Sequence, residues 1–234
     1  MANALDLIDK AIADLEARLS LAPGASLPQA GGKQQKTGKK DQKNDKKQAN
    51  KKGQTPPKEG KNEDQPHICK LEFKVGKITK VWVHPEADKL YCEEIDCGEE
   101  TPRQIASGLR PHFSEEQMLG QRLLVVSNLK AKNLVKFKSH GMVLCAAENL
   151  EDGSEKVEFV EPPEGAEVGE IVSFEGLPKP EPWSAAQVEK KKVFAACMDG
   201  MKTTDDGIAA WNGHAFTTSA GPCKTKTIKN GVMR

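Results

Sequence analysis

Between Leu71 and Ala147 the apolar residues come in short runs of strand length, and only one helix signal separates them. Leu71, Phe73 and Val75 alternate, and Ile78, Val81 and Val83 carry the run past Gly76, which predicts one long strand bent at that glycine. His84 and Pro85 end it. The stretches 90–98 (LYCEEIDCG) and 103–109 (RQIASGL) predict a second and third strand with a hairpin closed at Gly98. Ser114, followed by Glu115 and Glu116, has the form of an N-cap with acids in the first turn of a short helix. LLVVSNL (123–129) and MVLCAA (142–147) supply a fourth and fifth strand, both apolar on consecutive positions.

Three strands, a short helix and two strands is the order of a five-stranded Greek-key barrel of the oligonucleotide-binding (OB) type, although other small barrels share that order. Beyond it, KVEFV (156–160) and EIVSF (170–174) read as strands, and 184–201 reads as a helix with Ser184 and Gln187 in capping-box spacing. Asn212 and Gly213 between two strand-like runs signal a hairpin. The expected fold is therefore mainly β, an OB barrel over 66–150 followed by a small α+β lobe over 151–234.

The chain ahead of the barrel has a different character. Leu5, Ile8, Ile12, Leu15 and Leu19 form one apolar seam, predicting a short amphipathic helix over 1–21 that ends at Pro23 and Gly24. Residues 22–65 hold almost no apolar side chains, so burial cannot offset the entropy of ordering, and a disordered Lys-rich linker is expected. Within it, residues 33–61 carry eleven lysines against Asp41, Asp45 and Glu59, while the rest of the chain has 24 basic and 31 acidic residues. A cationic segment tethered to a mildly acidic body points to a polyanionic partner.

Six cysteines show no C-x-x-C pair and no tight His/Cys cluster, so no metal site is expected. No apolar run approaches the roughly 18 residues of a membrane span, which together with the acidic first helix predicts a cytoplasmic protein with reduced thiols. Catalytic motifs are missing too: there is no Gly-rich phosphate loop, G-x-S-x-G or H-E-x-x-H, and the adjacent acids Glu93 and Glu94 read as solvated. Neither an enzyme nor a cofactor-dependent protein is expected.

The stretch 128–149 carries the binding signal. From Gln117 to Ala147 there is no carboxylate, yet Arg122, Lys130, Lys132, Lys136 and Lys138 are present. Loop lysines on a rigid barrel can follow a phosphodiester backbone. Ser139 and Met142, three residues apart, can offer a hydroxyl to ribose or phosphate and an apolar surface to a base, with Gly141 allowing close approach. Met142 equally fits a core position beside Leu144 and Ala146. Trp82 and Tyr91 could stack on bases, but core packing is the preferred reading of both.

These residues resemble a known family. H-P-x-A-D-K-L-Y (84–91), S-G-L (107–109), and N-L-K (128–130) followed by S-x-G-M-x-L (139–144) look like the tRNA-binding domain shared by a bacterial tRNA-binding chaperone, the C-terminal appendage of methionyl-tRNA synthetases and eukaryotic synthetase cofactors. The segments 162–176 and 223–234 resemble the extension in proteins of the endothelial-monocyte-activating polypeptide II type. The resemblance implies recognition of tRNA by shape at the outer corner of its L, without a catalytic step. It places tRNA contacts on Lys89, Lys130, Ser139 and Met142; charge adds Lys132, Lys136 and Lys138 to that candidate site, and the linker residues Lys39, Lys40, Lys46, Lys47, Lys51 and Lys52 are expected from their charge to add auxiliary RNA contacts. It implies aminoacyl-tRNA synthetases as partners, methionyl-tRNA synthetase among them, and a monomeric domain whose C-terminal lobe mimics a dimer partner. A cytokine-like polypeptide and a fragment of a longer methionyl- or tyrosyl-tRNA synthetase are the alternatives. Where the family commonly has a Met-Arg pair, this chain has Leu134, Val135 and Lys136.

Overall fold

A computed structural model describes residues 64–234. The N-terminal helix, nearly all of the linker and its six auxiliary lysines lie outside the described residues.

The described chain is built from two large sheets that share one strand run, with a two-stranded hairpin beside them. In the first, β1 (Phe73–Val83), β2 (Tyr91–Asp96), β3 (Arg103–Ser107), β4 (Arg122–Val126) and β7 (Met142–Val143) follow the order β3-β2-β1-β4-β7 and curl into a nearly closed barrel. The bend expected at Gly76 is where β1 changes partners: Phe73 to Lys77 pair with β4, and Lys77 to Val83 with β2. A Cβ on Gly76 would stand 2.8 Å from Ile95 Cγ2, so the sheet closes only over a glycine. Between β3 and β4, α1 (Glu115–Met118) begins at Ser114, whose Oγ accepts from Gln117 N–H while Gln117 Oε1 accepts from Ser114 N–H.

The consecutive apolar positions of β4 have a physical reason. Leu123 and Val125 face the barrel interior with Ile78, Ile95, Ile105 and Met118, whereas Leu124 and Val126 face a second core with Phe73, Phe174, Trp183 and Phe216. A strand buried on both faces cannot alternate polar and apolar. The single run 142–147 likewise serves two sheets. Its first part, β7, joins the barrel, and its continuation β8 (Cys145–Asn149) pairs with β9 (Glu155–Phe159) and with β15 (Val232–Met233) in the other. That second sheet continues through β11 (Met201–Thr203), β12 (Ala209–Trp211), β13 (His214–Thr218) and β10 (Ser173–Phe174), with β14 (Gly221–Pro222) paired to β13. Asn212 and Gly213 turn the β12–β13 hairpin at φ 49° and 87°, the primed geometry that the Asn-Gly pair favours.

One helix expected over 184–201 is two. α2 (Ala185–Lys190) and α3 (Val193–Met198) are separated at Lys192, whose φ of 50° is left-handed, and Met201 already belongs to β11. In an unbroken helix Val188 and Val193 would lie about 140° apart around the axis. The break turns α3 so that Val193 and Cys197 enter the same core as Val188.

Candidate nucleic-acid interface

The lysine-rich stretch is a β-hairpin standing on the barrel. β5 (Lys132–Leu134) pairs with β6 (Phe137–Ser139), with Val135 at φ 46° and Lys136 at φ 68° forming the two-residue turn. A β-branched residue in that region is an outlier, and Val135 is also 48% exposed. Val-Lys is not a turn signature, which is why the sequence reading gives a loop here.

The fold brings acids that are distant in sequence to two of the lysines. Lys130 Nζ lies 2.7 Å from Glu189 Oε2, and Lys136 Nζ 2.7 Å from Glu86 Oε2. Both pairs are solvent-exposed and each contributes about 0 to 1 kcal/mol, so phosphate can replace the carboxylate at small cost. Lys89, Lys132 and Lys138 are exposed and have no carboxylate partner among the described residues. Lys89 belongs to the 84–90 connection between β1 and β2. That loop touches the hairpin through Lys136–Glu86 and through Phe137, which lies edge-on to His84 and Trp82 with ring centroids 6.2 and 6.1 Å away. These two loops, after strand 1 and before strand 5, are those with which OB barrels take up oligonucleotides.

Ser139 is 4% exposed and its hydroxyl is engaged inside the protein. Oγ accepts from Ala106 N–H at 3.1 Å and donates to Gly141 C=O at 3.0 Å, while His140 N–H donates to Gln104 C=O at 2.8 Å. These bonds tie β3 to the end of β6, just ahead of β7, so Ser139 positions the rim. Gly141 is required by packing, since a Cβ there would sit 3.0 Å from Ile105 Cδ1 and 3.1 Å from Val126 C=O. Met142 is half-buried and borders a cavity of about 340 Å³ between the hairpin and α2–α3. Lys130, Lys132, Ser139 and Met142 all line that cavity, whereas Lys89, Lys136 and Lys138 do not.

Three residues depart from the sequence reading or were missed by it. Trp82 is half-exposed rather than core, with Lys80 Nζ 5.0 Å from its ring, while Tyr91 is buried and donates to Phe113 C=O at 3.0 Å. Glu93, read as a solvated acid, is fully buried on the barrel-facing side of β2 with Tyr91 and Ile95. Ser107 Oγ donates to its Oε1, its Oε2 has no partner, and burial pushes its carboxyl up to about 7. Arg103 carries no motif signal, yet its Nη1 donates to His140 C=O at 2.9 Å and to Ser127 C=O, clamping both ends of the segment that contains the hairpin. Glu99 orients the guanidinium through two 2.8 Å bonds, and these, with Lys74 behind them, hold the Glu99 carboxyl down at about 2.

Arg103→Lys cannot reproduce this fork. The variant should be destabilised by about 2 kcal/mol in urea denaturation. Amide exchange should accelerate over 128–141 ahead of the rest of the barrel; uniform acceleration would remove the clamp.

Residues 73–171 match the family model described as "Putative tRNA binding domain". The chain is 43% identical over 168 residues to "Probable methionine--tRNA ligase" of Oryza sativa subsp. japonica, covering 71% of this chain and 20% of that protein. It is 36% identical over 172 residues to the tRNA-aminoacylation cofactor arc1 of Schizosaccharomyces pombe, covering 70% and 37%. The crystal structure of the C-terminal domain of Plasmodium vivax p43 matches with a TM-score of 0.65 at 34% identity, covering 71% of this chain and 98% of that one. The chain spans between a fifth and less than half of the length of the curated relatives it matches.

Proposed function

The chain belongs to the tRNA-binding domain family, and from that premise we propose that it is a non-catalytic, cytoplasmic tRNA-binding protein that retains or delivers tRNA for aminoacyl-tRNA synthetases. The observation that carries the reading is the joined pair of loops, the 84–90 connection and the β5–β6 hairpin, on which Lys89, Lys132 and Lys138 are exposed with no carboxylate partner among the described residues; loops at these positions are the ones OB barrels use for oligonucleotides. The synthetase and cofactor relatives support tRNA and synthetases as partners, methionyl-tRNA synthetase among them. In this reading Ser139 and Gly141 hold the rim in shape, the lysines track phosphates, and Lys39, Lys40, Lys46, Lys47, Lys51 and Lys52 give the tethered segment a second, weaker grip. Residues 151–234 stand in for a second barrel, and the domain is monomeric. The backbone bonding of 169–172 along β1 supports that assignment.

Lys89→Ala combined with Lys138→Ala tests the site, because both side chains are exposed and neither lines the cavity. Affinity for tRNA at about 0.1 M salt should fall about tenfold, and the slope of log K against log salt should flatten by about 1.4 to 1.8 units. Unchanged affinity and slope would exclude these loops as the tRNA surface.

A further inference from the structure

We propose that the cavity between the β5–β6 hairpin and α2–α3 receives one unstacked nucleobase of the bound RNA, with its phosphate held between Lys132 and Lys192. The inference rests on the tRNA-binding reading and assigns it a pocket of which α2–α3 form one side. The cavity has a volume of about 340 Å³ and opens to solvent. Leu134 and Met142 form its barrel side, and Val188, Phe194 and Ala195 its helical side.

The rim is charged where the wall is apolar. Lys130 already faces Glu189 in an exposed pair, whereas Lys132 and Lys192 have no carboxylate partner among the described residues. Lys192 reaches the rim because it occupies the left-handed position between α2 and α3, at φ 50° and ψ 36°, a conformation unfavourable for a lysine. The backbone turn that seats Val193 in the core thus places a cation at the opening.

An apolar wall with a cationic rim selects its occupant by complementarity. An alkyl chain or apolar peptide would fill the wall and leave two lysines unmatched, whereas a free anion would match the lysines and leave the wall empty. A nucleotide joins an apolar π-face to a phosphate and satisfies both. Phe194 offers a ring and Met142 a polarizable thioether for the base. The buried Ser139 hydroxyl already accepts from Ala106 and donates to Gly141, so the pocket grips a base without reading its identity through that group.

Ala195→Phe fills the cavity from an exposed helical position, and Lys192→Gly removes the rim charge while relieving the backbone. Both are measured in the full chain against tRNA and against a blunt, fully paired RNA duplex that has no base to insert. Ala195→Phe should weaken tRNA binding about tenfold with an unchanged salt slope and leave duplex binding as it was. Lys192→Gly should flatten the tRNA salt slope by about 0.7 to 0.9 units. If wild type binds tRNA and Ala195→Phe binds it equally, or if that variant loses duplex and tRNA alike, the pocket is refuted and the lysine surface stands. If wild type does not bind tRNA, the proposed function falls and the pocket with it.

Discussion

Gly169→Ala should lower the melting temperature by roughly 8 to 16 °C, corresponding to about 4 kcal/mol for a domain of this size. The added Cβ would lie 2.8 Å from Gly98 Cα and 2.9 Å from Cys97 C=O, both backbone atoms that cannot rotate away. Gly169 also sits at φ +89°, so the substitution adds conformational strain of about 1 to 3 kcal/mol to an overpacking cost of similar size. The location makes the loss structural for the barrel. Along its first half β1 pairs with β4 on one side only, and its other edge is taken by 169–172: Gly169 N–H donates to Val75 C=O at 2.8 Å, Val75 N–H to Glu170 C=O at 2.9 Å, and Val172 N–H to Phe73 C=O at 2.9 Å. An unpaired edge beside an apolar core invites pairing with another chain. Gly153→Ala is the control, because Gly153 has φ +82° with open space for 4 Å around the point where a Cβ would stand, and it should lose only about 1 kcal/mol in the same melt. Equal losses at the two positions would mean that the Gly98–Gly169 approach contributes nothing.

The barrel was legible because its strands carry their burial in short-range pattern. The alternation of Phe73 and Val75, the glycine at the bend of β1 and the capping box at Ser114 each act within a few residues. Where one run serves two partners, local pattern cannot show it: 142–147 reads as one strand, and only its pairing with β9 and with Val232 and Met233 reveals that β8 has left the barrel. The helix break at Lys192 is similar, since its cause is a core assembled from Val188, Val193 and distant strands. At the candidate interface the sequence located the lysines but not their acids, Glu86 and Glu189, which lie 50 and 59 residues away from Lys136 and Lys130. It also assigned Ser139 a free hydroxyl, because nothing local reveals that Ala106 and Gly141 engage it. Residues 151–234 were legible as strands and helix, yet their part in covering β1 and walling the cavity depends on long-range contacts alone.

Glu93→Gln should stabilise the protein by about 3 kcal/mol at pH 8 and by less than about 1 kcal/mol at pH 5. The carboxyl ordinarily titrates near 4.5, and inside the barrel burial raises it to about 7, only partly opposed by the hydrogen bond from Ser107. Below about pH 4.5 the folded and unfolded chains both hold the proton, and the residue costs nothing extra. Between about 4.5 and 7 the unfolded chain ionises while the folded one retains the proton, so stability falls by about 1.4 kcal/mol per pH unit as pH rises. Above about 7 the folded chain bears the full cost of a buried carboxylate whose Oε2 has no hydrogen-bond partner. Glutamine keeps an oxygen for Ser107 and cannot ionise, so it removes the pH-dependent part while leaving one polar group unpaired, as protonated Glu93 does. Urea denaturation of both proteins from pH 5 to 8 isolates the effect, because other titrating groups cancel in the difference. Divergence with rising pH is the expected result, and parallel profiles would show that Glu93 stays ionised, or stays protonated, across the whole range. The barrel that carries the 84–90 connection and the β5–β6 hairpin is therefore built around an acid that burial raises to about 7, and Glu93 narrows its stability margin on the alkaline side.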